Sequence, residues 1–120
     1  MALRVLVAED QPFLLELTSE VLREAGHEVL EAADGLEAER LARAEKPDVL
    51  LLDIMMPGRD GREVARRLRQ EQGPDGIRIA FYSTMTADEL DWRAEGADAF
   101  RSKTESIRYL AEFVEKLAGR

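Results

Sequence analysis

No cysteine occurs among the 120 residues, so neither a disulfide nor a thiolate-bound metal can be built. That fits a reducing compartment. An excess of basic charge is also missing: 17 Lys and Arg face 25 Asp and Glu, a formal net charge of -8. Phosphate backbones are held by a basic footprint, so nucleic-acid binding by this chain is not expected. No apolar run approaches the ~18 residues that a membrane-spanning helix needs. The opening "MALRVLVA" carries one charge before a short apolar run, too little for a signal peptide and enough for a strand. A cytoplasmic location and no membrane partner are therefore expected. Repeats and low-complexity tracts are absent as well. What remains is a globular composition, 45% hydrophobic and 35% charged, of a length suited to one domain over residues 1–120.

The chain alternates short apolar runs with amphipathic ones. Leu3 to Ala8 reads as a strand ending in the acidic pair Glu9-Asp10. Pro12 opens a helix in which Leu14, Leu17, Thr18, Val21, Leu22 and Ala25 recur at three-to-four spacing, and Gly26 stops it. His27 to Ala32 reads as a second strand, and Asp34 caps a second helix closed by Lys46-Pro47. Val49 to Asp53 is apolar on consecutive residues, the mark of a strand buried on both faces of a parallel sheet. A helix follows over 61–72, with Val64, Ala65 and Leu68 inward and the arginines from Arg62 to Arg69 read as a solvated face. Ile77 to Tyr82 predicts a fourth strand ending in Ser83. "TADE", Thr86 to Glu89, predicts a short fourth helix ended by Gly96. Ala99 to Ser102 is a fifth strand, and the final helix aligns Ile107, Leu110, Ala111, Val114 and Leu117. Five strands alternating with five helices argue for an α/β fold, one doubly wound parallel sheet covered on both sides. His27 is expected at the surface, Met55 and Met56 in loop packing. Trp92, off the face of Leu90 and Ala94, is expected either against a partner or on a neighbouring loop.

In such sheets functional groups collect beyond the carboxyl ends of the strands. The first strand delivers Glu9 and Asp10, the third Asp53, the fourth Ser83 and the fifth Lys103. The second delivers nothing chemical, which suits an edge strand. Central neighbours lie ~4.8 Å apart, so Asp10 and Asp53 can share a pocket. Three crowded carboxylates repel unless a cation intervenes, and an oxygen-only ligand set suits Mg²⁺. Metal, lysine and hydroxyl aimed at one spot form an arrangement that receives a phosphoryl group. A carboxylate among them, Asp53, can be the nucleophile that forms an acyl phosphate.

The segments "VAEDQP", "AGHEVLEAADGLEA", "PDVLLLDIMMPGRDG", "AFYST" and "GADAFRSK", in that order, closely resemble the receiver domain of two-component response regulators. The resemblance covers nearly the whole chain and implies a flavodoxin-like sheet of strand order 2-1-3-4-5. It implies phosphorylation of Asp53 from a sensor histidine kinase or phosphotransfer protein, with Mg²⁺ held by Asp10, Asp53 and the Met55 carbonyl. Glu9 would act through a metal-bound water, and Ser83 and Lys103 would bond phosphoryl oxygens. Ser83 and Phe100 would be the switch residues, changing a surface near the fourth helix, fifth strand and fifth helix for an output domain or protein. Self-association through that face is left open. Such a domain is no enzyme beyond its own phosphorylation and dephosphorylation.

Four positions depart from the family pattern. Thr104 stands where proline, with a cis peptide, usually follows the lysine; Thr84 stands where alanine is usual; and Met55 and Met85 occupy positions that tune hydrolysis. The stretch from Ser83 to Gly96 is about two residues short, so the fourth helix is expected to be clipped or reoriented. These features also support a second reading, a pseudo-receiver interaction domain independent of phosphorylation. A third, a Mg²⁺-dependent phosphohydrolase, is weakened by Met55, since no acid stands two residues beyond Asp53.

Overall fold

The computed structural model describes residues 2–86 and 90–119. Its elements run β1 (Arg4–Ala8), α1 (Pro12–Glu24), β2 (Glu28–Ala32), α2 (Gly35–Glu45), β3 (Val49–Leu52), α3 (Gly61–Gln72), β4 (Arg78–Ser83), β5 (Ala99–Ser102), a 3₁₀ turn (Ile107–Tyr109) and α4 (Leu110–Ala118). All strands are parallel, in the order β2-β1-β3-β4-β5. The predicted architecture and strand order are borne out.

The consecutive apolar residues of the central strands have a simple outcome. Successive side chains point to opposite faces, so each strand feeds two cores. Leu6, Leu50, Leu52, Ile79 and Phe81 pack with Ala38, Ala42, Val64, Ala65 and Leu68 under α2 and α3. Val5, Val7, Val49, Leu51, Ala80 and Tyr82 pack with Leu22, Leu110, Val114 and Leu117 under α1 and α4. Local signals set the ends of the elements: Pro12 sits in the first turn of α1, and the Asp34 side chain caps α2 by accepting from Glu37 N at 2.8 Å. Asp60 caps α3, accepting from Arg62 N at 2.8 Å.

Among the described residues there are four α-helices where five were expected. Thr86 to Glu89, the predicted start of the missing one, lies partly outside the described residues. Residues 92–96 form turns instead of a helix, with Gly96 N donating to Arg93 O and Ala97 N to Trp92 O, both at 3.1 Å. The reason is visible in the pattern. Leu90 and Trp92 are two residues apart and both pack on the core, a spacing no single helical face supplies.

Three further expectations need correcting. His27 is not at the surface: it is 5% exposed, its Nδ1 accepts from Leu3 N at 3.1 Å, and its Nε2 lies 2.7 Å from Glu115 Oε2. With Nδ1 accepting, the ring proton sits on Nε2 and is donated to Glu115. Trp92 packs on its own chain, against the α2–α3 core, with the Arg93 guanidinium 4.1 Å from its ring centre. Arg69 is not part of a solvated face; its side chain is 17% exposed and tied into the fold.

Candidate functional site

β1, β3 and β5 each carry a site residue one ladder step past their last strand residue, and Ser83 ends β4 itself, which is why four distant segments converge. Glu9 N donates to Ala32 O at 3.0 Å, Asp53 N to Ala8 O at 3.0 Å, and Lys103 N to Ser83 O at 2.9 Å. The sheet hydrogen bonds thus continue into the site and fix its backbone.

The carboxylate of Asp53 is buried, 8% exposed, with Oδ1 accepting from Ile54 N at 2.8 Å and Oδ2 from Lys103 Nζ at 3.0 Å. Lys103 Nζ also donates to Glu9 Oε1, so one ammonium bridges two acids. Glu9, 3% exposed, accepts in addition from Gln11 N at 3.1 Å. Asp10 is exposed and makes no hydrogen bond or ion pair among the described residues; it does not cap α1, whose cap residue is Gln11. One carboxylate oxygen from each of Glu9, Asp10 and Asp53 lies within 4.8 Å of the others.

The charges do not balance. Three carboxylates and one ammonium leave two negative charges, the amount one divalent cation neutralises. Burial pushes the Glu9 carboxyl above its usual range, against the lowering pull of Lys103. Burial also disfavours the Lys103 ammonium, but the hydrogen bond to Glu9 and the charge of Asp53 outweigh it, and its pKa is raised. An oxygen-only donor set with one unpartnered carboxylate fits a hard cation such as Mg²⁺.

The loop behind Asp53 is tightly drawn. Gly61 N donates to Ile54 O at 2.7 Å, and a Cβ on Gly61 would fall 2.1 Å from Asp53 O. Only glycine lets α3 begin directly on the backbone of Asp53. Met55 is 71% exposed beside this loop.

Ser83 is buried, and its hydroxyl accepts from Met85 N at 3.2 Å. Phe100 is half-buried and already rests on the α2–α3 core. No cis peptide occurs among the described residues, so Lys103-Thr104 is trans. The turn there is held by side chains: Ser102 Oγ lies 2.7 Å from Thr104 Oγ1 and accepts from Thr104 N at 3.1 Å. The sequence reading overlooked Tyr82, whose ring centre lies 5.8 Å from Lys103 Nζ. Strand alternation could have found it, because the residue before Ser83 must face α1 and α4.

A family profile for the response regulator receiver domain matches residues 5–115. Protein PilH of Pseudomonas aeruginosa is 33% identical over 102 residues, covering 83% of this chain and 84% of its own length. The transcriptional regulatory protein PdtaR of Mycobacterium tuberculosis is 36% identical over 119 residues, covering 98% of this chain and 57% of its own. Among solved structures, the Francisella response regulator 1452 receiver domain superposes with a TM-score of 0.88 at 28% identity, covering 98% of both chains. Chemotaxis response regulator CheY4 of Vibrio cholerae gives 0.88 at 26% identity, covering 98% of this chain and 99% of its own. The chain belongs to the response regulator receiver family, the phosphorylation-based signalling modules of two-component systems. It is thereby a signalling protein rather than a conventional enzyme. It spans about half the length of several relatives named as transcriptional regulators. Among the described residues, no helix is long and apolar enough to cross a membrane.

Proposed function

We propose that residues 1–120 act as a cytoplasmic phosphorylation switch in which Asp53 is the phosphoacceptor. A carboxylate oxygen of Asp53 attacks the phosphorus of a phosphohistidine on a sensor kinase or phosphotransfer protein. The N–P bond breaks, its electron pair returns to the imidazole, and an acyl phosphate forms on Asp53. Hydrolysis, by water attacking phosphorus, restores the carboxylate and releases phosphate. The observation that carries this reading is the Lys103 ammonium shared between Glu9 and Asp53, with Asp10 alongside.

Glu9, Asp10, Asp53 and the Met55 carbonyl would hold Mg²⁺, which supplies positive charge for the incoming phosphoryl oxygens. Lys103 binds one of those oxygens and keeps its aim through its strand-end hydrogen bond to Ser83. The Ser83 hydroxyl, now accepting from Met85 N, donates to another phosphoryl oxygen. Moving Ser83 toward Asp53 opens room for Phe100 to pack further inward. A charge-assisted hydrogen bond made only in the phosphorylated form contributes roughly 1.5–3 kcal/mol, enough to shift a two-state balance ~10–100-fold. The readout is a partner surface at β5 and α4 for an output domain or protein.

Incubation with a small phosphodonor and Mg²⁺, followed by intact mass, tests the reading. Wild type gains one phosphoryl group and Asp53→Asn gains none; equal labelling of both would refute the assignment. Met55 and Met85 orient water poorly, so the acyl phosphate is expected to be long-lived, and hydrolysis as fast as in chemotaxis-type regulators would contradict this. The turns that stand in place of a helix over 92–96 favour the second reading, a phosphorylation-independent interaction domain. A saturable, Asp53-dependent response to fluoroberyllate separates the two, since only the switch gives one.

A further inference from the structure

In this fold α3 joins two places that are distant in sequence. Its first residue, Gly61, sits against the Asp53 carbonyl and donates to Ile54 O. Its last turn carries Arg69, whose guanidinium gathers the segment that leads into β5. Arg69 Nε donates to Gly96 O at 2.9 Å, Nη1 to Gly73 O at 3.1 Å, and Nη2 to Ile77 O at 3.1 Å and to Asp98 Oδ2 at 2.6 Å. Asp98 Oδ2 accepts in turn from Ile79 N at 2.9 Å, at the start of β4. Gly96 has φ +94°, and a Cβ there would stand 3.2 Å from Arg69 Cβ, so Arg69 and this turn meet nearly in contact.

Between the two ends lie twelve residues of helix, about 18 Å, locked to the core by the fully buried Val64, Ala65 and Leu68. A helix so packed moves as a rod or not at all, because interiors are too dense to deform continuously. We propose that α3 is a coupling strut. Occupation of Asp53 displaces its N-terminus, and the Arg69 clamp carries that displacement to Gly96–Asp98 and the entrance of β5. Arg69 is a positioning residue, since it touches nothing at the reacting centre.

The proposal rests on Asp53 being the acceptor, and it differs from a route through Ser83 and Phe100 because it enters β5 from the opposite end. Four directional hydrogen bonds are satisfied together in the present structure, so any shift of the rod weakens them. Occupation of Asp53 should therefore loosen the clamp. By linkage, a chain whose clamp is already broken should bind the occupying anion more tightly.

Fluoroberyllate with Mg²⁺ serves as the probe, and amide hydrogen exchange at Gly96, Ala97 and Asp98 as the readout. These amides donate to Arg93 O, Trp92 O and Ile79 O. In wild type their exchange should accelerate on binding. In Arg69→Met it should already be fast and respond no further, and the fluoroberyllate Kd should fall about two- to tenfold. Asp98→Asn, which keeps size and backbone, provides the same test should Arg69→Met fail to fold, and Arg69→Lys should give only partial rescue. If fluoroberyllate binds wild type but exchange at 96–98 is unchanged, the strut is disproved while the acceptor reading stands. The strut is equally disproved if the clamp variants bind with the wild-type Kd. Absence of any binding would overturn both.

Discussion

The two ends of the sheet are built on opposite terms. At the carboxyl ends of the strands, Glu9 and Asp53 share one ammonium, and Asp10 beside them has no partner among the described residues. At the amino ends, polar groups are matched. His27 uses both ring nitrogens, on Leu3 N and Glu115, and Asp48 accepts from Arg4 N at 2.8 Å. The Arg4 guanidinium in turn reaches Glu28 and Glu45. Unmatched negative charge stores free energy that a bound cation can release, whereas matched groups hold the sheet together without one. The candidate site is the end where folding alone leaves the electrostatics incomplete.

Substitutions should therefore separate activity from stability by end. The largest effect expected is at Asp53: Asp53→Asn abolishes phosphoryl incorporation by intact mass, yet raises the melting temperature of the metal-free protein by relieving repulsion. A lower melting temperature would show that the acids at this end are not in conflict. Next is Asp10→Asn, which should weaken Mg²⁺ binding about tenfold or more, read by titration, with little change in folding.

At the other end, His27→Ala leaves the buried Leu3 N–H without its acceptor and opens a cavity. Denaturant unfolding should show a loss of about 2–4 kcal/mol, with fluoroberyllate affinity altered less than about twofold. A loss of function without a loss of stability would erase the contrast between the ends. The smallest effect belongs to the helix cap at the start of α3, beside the site. Asp60→Ala should remove about 1 kcal/mol at neutral pH. Burial raises the Asp60 pKa, but the hydrogen bonds from the Arg62 side chain and backbone overcome it and hold it below its usual value. A depressed carboxyl stabilises above its unfolded pKa. The gap between wild type and variant should thus persist at neutral pH and close as pH falls below about 4. A gap that grows in acid would contradict the sign.

Much of the fold is legible in the sequence. Val49 to Leu52, apolar on every residue, needed both faces covered, and Pro12, Asp34 and the glycines after helices marked the ends. The candidate cluster was legible for a related reason: parallel strands bring their carboxyl ends to one side, so residues at or just past those ends converge. His27 was misread because a lone histidine after a glycine looks exposed; its burial depends on Leu3 and Glu115, the latter 88 residues away in sequence. Arg69 was misread because its helix position implied solvent, while its actual partners come from the two loops that flank β4. The capping signal at Thr86 suggested a helix, but the side chains of Leu90 and Trp92 follow the core beneath them, and residues 92–96 form turns.

The sequence by itself determined the parallel α/β layering and the roster of acids, hydroxyl and lysine. Both follow from local periodicity and from where strands stop. Only the tertiary structure decided which charges share a partner, that Asp10 is left without one among the described residues, and that α3 bears on Asp53 at one end and on Gly96 and Asp98 at the other. Those outcomes depend on distances between segments far apart in the chain, which no local pattern encodes.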